Sequence, residues 1–414
     1  MHLKQCLMAA LFAFLFLKLL TAQYIYAAGA ENSQLRAKLG KGVSFRTADR
    51  HFRAKVGGLL QIDTIPLNTN DQLITDSSGI RRGRMTLNMQ FYRDWNLRAT
   101  YDFTADQLDI SGFQLFYFGY KGIRRTHFKI GNLQEFVSLD WLTSSRNSVF
   151  IERAQMVSLV PPIHLGATAS TYGDFWTASA GLFGSRPIDG IHLDNSWGVS
   201  SRVTYTPINT RKSIVHFGVS GVYREPNNDR LNLQGPTAGS TDDLNVEGVR
   251  FSSVGRLNNI NGIINTEFAA RHESVALQFE YLRTFRDNHP VVPDTAFDSW
   301  YVQGSWVLTG ERRRYRKKQG VFGTVNPKKK SNFVRGIGAW EVAVRYSELA
   351  AVSKTTLPVD SETNLTVGLN WYLQKNIRFM ANYIRVRSHL NPMNAVAIAD
   401  DHANIFVMRT QIEF

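Results

Sequence analysis

The feature that most constrains this chain is an alternation of apolar and polar side chains with a period of two residues. At the C-terminus Phe406, Met408, Thr410, Ile412 and Phe414 share one parity, and Val407, Arg409, Gln411 and Glu413 the other. Between Asn364 and Leu373, Leu365, Val367, Leu369, Trp371 and Leu373 oppose Thr366, Gly368, Asn370 and Tyr372. Near the front, Trp95, Leu97, Ala99, Tyr101 and Phe103 oppose Asn96, Arg98, Thr100 and Asp102. Successive side chains on a strand point to opposite faces, so each stretch is a strand with one apolar and one polar face. No comparably long stretch shows a helical period, and the fold class is all-β.

A soluble sandwich buries its apolar face in a core, whereas a membrane barrel turns that face to lipid and the polar one to a wet lumen. The alternation alone does not separate the two. Mean hydropathy is −0.23, and no apolar run after residue 20 approaches the ~18 residues of a membrane helix. A helical membrane protein is therefore excluded, but a barrel is not. The residues outline sixteen strands, at about 52–63, 80–91, 95–103, 110–120, 126–134, 164–172, 176–184, 197–206, 213–224, 259–272, 274–285, 298–309, 338–349, 363–373, 377–387 and 404–414. Their connections alternate short and long, as in an outer-membrane barrel with short periplasmic turns and long outer loops. No Pro/Ser-rich linker divides the chain, so a single closed barrel explains how it forms one domain.

One connection breaks the alternation. Gly310 to Gly336 lies on the short-turn side yet is long, and it carries the run Glu311 to Lys318 and then Lys328, Lys329 and Lys330. By parity this basic connection, 310–337, lies at the periplasmic mouth. It either collects anions on their way out or is a solvated turn.

The first thirty residues read as an export signal. Lys4 precedes a continuous apolar run from Cys6 to Leu17, and small residues follow at Ala27, Ala28, Gly29 and Ala30. A run this short, at about 1.5 Å per residue, does not cross a hydrocarbon layer of about 30 Å. The sequence thus divides into a signal at 1–30, an N-terminal periplasmic segment at 31–51 and a barrel at 52–414. Cys6 is the only cysteine, which rules out a disulfide framework and a thiolate metal site.

With these elements in place, the chain resembles the phosphate-selective porin O/P family of Gram-negative outer membranes. The resemblance rests on Arg81-Arg82, Phe91-Tyr92-Arg93-Asp94-Trp95, Tyr101-Asp102, Lys129-Ile130-Gly131, Thr143-Ser144-Ser145-Arg146 and Glu152-Arg153. It continues in Leu308-Thr309-Gly310-Glu311, Gly338-Ala339-Trp340-Glu341, Arg345-Tyr346, Gly368-Leu369-Asn370-Trp371-Tyr372 and the terminal Phe414. It implies a sixteen-stranded antiparallel transmembrane β-barrel, a homotrimer, and passive uptake of inorganic phosphate or other small anions. It also implies that the loop at about 135–163 folds inward as a constriction. There Arg81, Arg82, Ser144, Ser145, Arg146 and Arg153 match the family's anion-binding residues. Asn96, Gly112 and Trp141 stand where the family places two lysines and an acidic residue. The constriction is less basic than the pattern, which keeps a general or differently selective porin open. A non-conducting structural outer-membrane protein is the third reading.

The residues carry a reading of their own beside the resemblance. Arg82 and Arg84 share parity with Thr86, Asn88 and Gln90 and point into the lumen, while Arg81 has the opposite parity and needs a bulge to join them. Guanidinium groups bind phosphate bidentately and keep their charge at any relevant pH, and rings of such groups favour anions in pores. Arg98, Lys129 and Arg345, with Arg53, Lys55, Arg202 and Arg409, are further polar-face bases. The alternative for each is a wall ion pair with Asp63, Asp102, Glu280, Glu341 or Glu413. No glycine-rich phosphate loop, His-Glu-x-x-His or nucleophile elbow occurs in the sequence. The chain is expected to be no enzyme, to need no cofactor, and to meet outer-membrane lipid rather than nucleic acid.

Overall fold

The computed structural model describes residues 34–38, 42–68, 77–104, 112–184, 197–225, 260–286, 295–328, 337–353, 361–389 and 401–414. Two short strands, β1 (Gln34–Lys38) and β2 (Gly42–Arg46), precede the barrel. The wall begins with β3 (Phe52–Asn68), β4 (Ser77–Phe91), β5 (Trp95–Asp102), β6 (Phe113–Tyr120) and β7 (Thr126–Leu133). It continues through β8 (His164–Tyr172), β9 (Trp176–Phe183), β10 (Gly198–Asn209), β11 (Ser213–Arg224) and β12 (Ile260–His272). Next come β13 (Val275–Arg286) and β14 (Thr295–Val307), then a small separate hairpin of β15 (Tyr315–Arg316) and β16 (Val321–Phe322). The wall ends with β17 (Ala339–Ser353), β18 (Ser361–Gln374), β19 (Ile377–His389) and β20 (Asp401–Glu413).

Every wall strand pairs antiparallel with its neighbour, and β20 returns to β3 through Arg409↔Asp63 and Ile412↔Leu60, closing a sixteen-stranded barrel. Closure removes the free edges that an open sheet of this size presents. All sixteen strands anticipated from the alternation are present. The long-loop ends extend further than expected, for example to Asn68 in β3 and Ser353 in β17. The N-terminal strands fell outside the periodic pattern. β2 occupies the same edge of β3 as β20 does, pairing Val43↔Val56 and Arg46↔Arg53. The chain end lies just beyond, where Gly58 N–H donates to Phe414 O over 2.8 Å.

The wall is inside out compared with a soluble protein, which settles the question the alternation left open. On β10, Val203 and Tyr205 are 51% and 55% exposed, while their neighbours Arg202 and Thr204 are 4% and 1%. The same inversion runs round the barrel, with Val219, Leu277, Trp306, Val344, Val367 and Met408 turned outward. Inward polar side chains bond across strands, as in the Thr86–Thr100 pair at 3.1 Å and the Thr177–Thr204 pair at 2.7 Å. An apolar outer band over a polar interior is stable only in lipid. Val219 sits midway along β11 on this band. Val219→Arg is therefore expected to lower stability by about 2–4 kcal/mol, as for a charge at the bilayer midplane. Urea unfolding in lipid vesicles measures this, and a wild-type midpoint would refute the assignment of that face to lipid.

Candidate functional site: a lumen narrowed from both ends

The connection from β7 to β8 runs inward. Its backbone forms few bonds of its own, having only a four-residue helix, α1 (Leu139–Leu142), and two 3-10 turns at Ser145–Asn147 and Gln155–Leu159. Buried backbone groups need partners, and here the wall supplies them. The Glu280 carboxylate accepts the N–H groups of Leu139 and Asp140, both at 2.8 Å, where the start of α1 has donors to spare. Ser138 caps the same turn by accepting from Trp141 N–H at 3.2 Å. Arg378 donates to Ser148 O and Val149 O, Asn370 to Val149 O, and Arg345 to Glu152 O and Arg153 O. Apolar packing does the rest. Met156 and Leu159 bury against Val222, Leu282, Phe297 and Leu349, and Ile151 against Met380, Ile384 and Val407.

A second segment enters from the opposite end. The described part of the basic connection, up to Lys328, turns into the barrel, and β15–β16 lies against the inner wall. Tyr315 bonds His216 Nδ1 at 2.6 Å and Thr206 at 3.1 Å through its hydroxyl. Arg202, held bidentately by Glu267 at 2.7 Å, donates onward to Gln319 O and Gly320 O. Gly320 has φ +60°, and a Cβ there would sit 3.0 Å from the Thr204 hydroxyl, so this tight turn against the wall favours glycine. The two inward segments touch. Val321 and Phe322 bury against Leu139 of the outer loop, and Arg313 donates to Asn147 O at 2.6 Å.

The candidate residues separate into distinct surroundings. Between Gln61↔Arg82 and Ile62↔Ile80 the β3–β4 register slips by one, so Arg81 is the extra residue of a bulge. The bulge turns it inward, and Arg81 Nε lies 3.5 Å from Glu152. Arg82 is buried, donates to Gln61 at 3.0 Å and lies 3.6 Å from Glu152. Arg409 bridges Asp63 and Glu152, each at 2.6 Å. Arg153 donates to the carbonyls of Asp140, Trp141 and Thr143 and lies over the Trp141 ring at 4.9 Å. The tryptophan thus covers one face of that guanidinium.

Nearer the short-turn end the setting changes. Arg84 pairs with Asp102 at 2.6 Å and reaches Ser145 Oγ at 3.3 Å. Ser144 precedes it as the cap of a 3-10 turn. Arg146 faces Glu413 at 3.5 Å. Arg98 has Thr100 Oγ1 at 3.5 Å and, among the described residues, no carboxylate within ion-pair distance. Burial holds the Arg146 guanidinium below its ordinary range, Glu413 draws it back up, and the positive charges of Arg98, Arg316 and Arg84 depress it again. An arginine nevertheless stays charged, so these groups concentrate positive potential at one level of the lumen. Lys129 lies 5.0 Å over the Tyr117 ring, and Lys328 donates to Gly310 O at 2.8 Å. Lys329 and Lys330 lie outside the described residues. Arg313, Arg316, Arg378 and Asn370 were not singled out as site residues from sequence. Of these, Arg378 and Asn370 carried the available signal, their lumen-facing parity.

A closed barrel with a lipid-facing outer band and a lumen narrowed by charged segments defines an outer-membrane porin, a channel architecture. Residues 54–414 match the family described as phosphate-selective porin O and P, and the chain belongs to it. Porin O of Pseudomonas aeruginosa is 24% identical over 419 residues, covering 93% of each chain. Among solved structures, the in-vitro folded trimer form of OmpT from Vibrio cholerae superposes with a TM-score of 0.54 at 12% identity, covering 88% of this chain and 99% of that one. An anion-selective porin from Comamonas acidovorans gives 0.51 at 11%, covering 88% and 100%. At these identities the structural likeness establishes the fold.

Proposed function

We propose that the chain forms a water-filled, anion-preferring channel through which inorganic phosphate or similar small anions enter passively. The observation that supports this reading best is the charge around the tip of the inward loop. Arg84, Arg98 and Arg146 gather there with Ser145, against two carboxylates, Asp102 and Glu413, leaving a surplus of one positive charge. Guanidinium and hydroxyl donors together suit a tetrahedral oxyanion. Arg81, Arg82 and Arg153 support the loop that carries these groups. Residues 1–30 are read as a cleaved signal, 31–51 as a periplasmic segment, and the working unit as a homotrimer in lipid. The family, and the trimer form of one structural neighbour, support the last of these.

A general or differently selective porin is the second reading. It is favoured by the engagement of Arg81 and Arg82 with Glu152 and by Trp141 lying under Arg153. Purified protein in a planar bilayer separates the two. A chloride-side reversal potential with block by low concentrations of phosphate supports the first. Chloride current indifferent to phosphate supports the second, and a cation-selective current removes the first.

A further inference from the structure

We infer that Arg316, carried into the lumen by the hairpin that enters from the short-turn end, is a selectivity-determining cation of the anion path. This rests on the channel reading above and adds a residue that comes from neither the wall strands nor the outer loop.

Successive residues on a strand point to opposite sides. Tyr315 is bonded to His216 and Thr206, so it faces the wall made by β10 and β11. Arg316, its neighbour on β15, therefore faces away from that wall, across the lumen. It is exposed, and among the described residues it makes no ion pair. Its charge reaches Arg146, which arrives from the opposite end of the barrel on the outer loop. The hairpin is not free to carry Arg316 elsewhere. Arg202 grips its turn at Gln319 O and Gly320 O, Arg313 ties its stem to Asn147 O, and Val321 and Phe322 bury against Leu139.

The consequence follows from counting charges. Without Arg316 the site holds three guanidiniums against two carboxylates, a surplus of one; with it, four against two, a surplus of two. Arg82, by contrast, is buried beside Glu152, where its charge is answered by a carboxylate. A cation exposed to water, in no ion pair among the described residues and fixed at the narrowing, with Glu413 feeling its charge only from beyond ion-pair distance, has the properties that an attractive but escapable anion site requires. Arg98, half-buried on β5, also makes no ion pair among the described residues, and its charge, like that of Arg316, reaches Arg146.

The test uses the full mature chain in planar bilayers, after gel migration with and without heating confirms that each variant folds. Arg316→Gln is expected to weaken phosphate block of the chloride current about fivefold, the size of one unit charge's attraction near contact in water. It should also shift the reversal potential toward cations, more strongly at low salt. Arg316→Lys should keep most of both, and Lys212→Gln, which removes a charge from the rim, should change neither. Because Cys6 is the only cysteine and lies in the signal region, Arg316→Cys gives a single-thiol channel. A cationic thiol reagent should then restore anion preference and an anionic one abolish it. The inference is overturned if Arg316→Gln matches Lys212→Gln, or if both reagents leave the current unchanged. If the unsubstituted channel itself lacks anion preference, the channel reading fails first, which is a separate result.

Discussion

Glu152→Gln is expected to cost about 3–5 kcal/mol of barrel stability, the usual effect of removing one member of a buried ion cluster. Glu152 is the point to which the outer loop and two sides of the wall converge. Its carboxylate takes Arg409 of β20 at 2.6 Å and lies 3.5 and 3.6 Å from Arg81 and Arg82 of β4. The side chain is buried, so water does not replace the lost charge. After substitution Arg409 keeps Asp63, whereas Arg81 and Arg82 lose the Glu152 charge, and the repulsion among the three guanidiniums loosens the middle of the loop. The expected readings are a lower urea midpoint in vesicles and a larger, noisier single-channel conductance. Anion preference should not fall, because the change removes a negative charge. A variant that unfolds like the wild type would show that Glu152 is not the loop's anchor. One that loses anion preference would show that the acid shapes the site directly.

The opposite behaviour of Glu152 and Arg316 explains which parts of this protein could be read from its sequence. The wall was legible because a lipid face and a wet face impose a strict period of two on residues such as Leu365 to Trp371. Where the lumen face is not wet, the period blurs. Val407 and Met380 point inward, yet they are aliphatic because Ile151 of the loop packs on them. Arg81 could be placed only conditionally, since the bulge that turns it inward lies in pairing with β3 rather than in the order of residues. The basic run Arg312 to Lys318 was visible as charge, but its entry into the barrel depends on Arg202 and His216, about a hundred residues earlier. Sequence identifies a cation; whether an acid answers it is decided by contacts between distant strands. Arg82 and Arg98 show the difference, being alike in type and parity but not in company.

Arg313→Met should produce a loss similar in size to that of Glu152→Gln, and the double variant with Glu341→Leu should recover much of it. Arg313 joins the two inward segments. It donates twice to Glu341 at 2.9 Å, to Asn147 O at 2.6 Å and to Tyr372 at 3.2 Å, with both charged partners buried. Methionine fills much of the volume but leaves the Glu341 carboxylate inside the barrel with Tyr372 at 2.7 Å and Asn370 at 3.1 Å as its donors among the described residues, and the more distant Arg378 as the cation acting on it. A buried charge without its counter-charge costs about 3–5 kcal/mol, whereas an apolar replacement of the whole pair is often close to neutral. Asn370 keeps its bond to Val149 O at 2.9 Å in the double variant, so little is left unsatisfied there. The expected coupling between the two substitutions is thus several times the ~0.5 kcal/mol at which independent sites add. Unfolding midpoints of the two single variants and the double variant measure it. Conductance should behave differently from stability. Both Arg313→Met and the double variant lose the tie to Asn147 O, so both should let the hairpin swing and weaken phosphate block, even where stability returns. Additive free energies would mean that Arg313 acts through the loop carbonyl alone. A double variant with normal block would mean that the apolar contacts of Val321 and Phe322 suffice to hold Arg316 in the path.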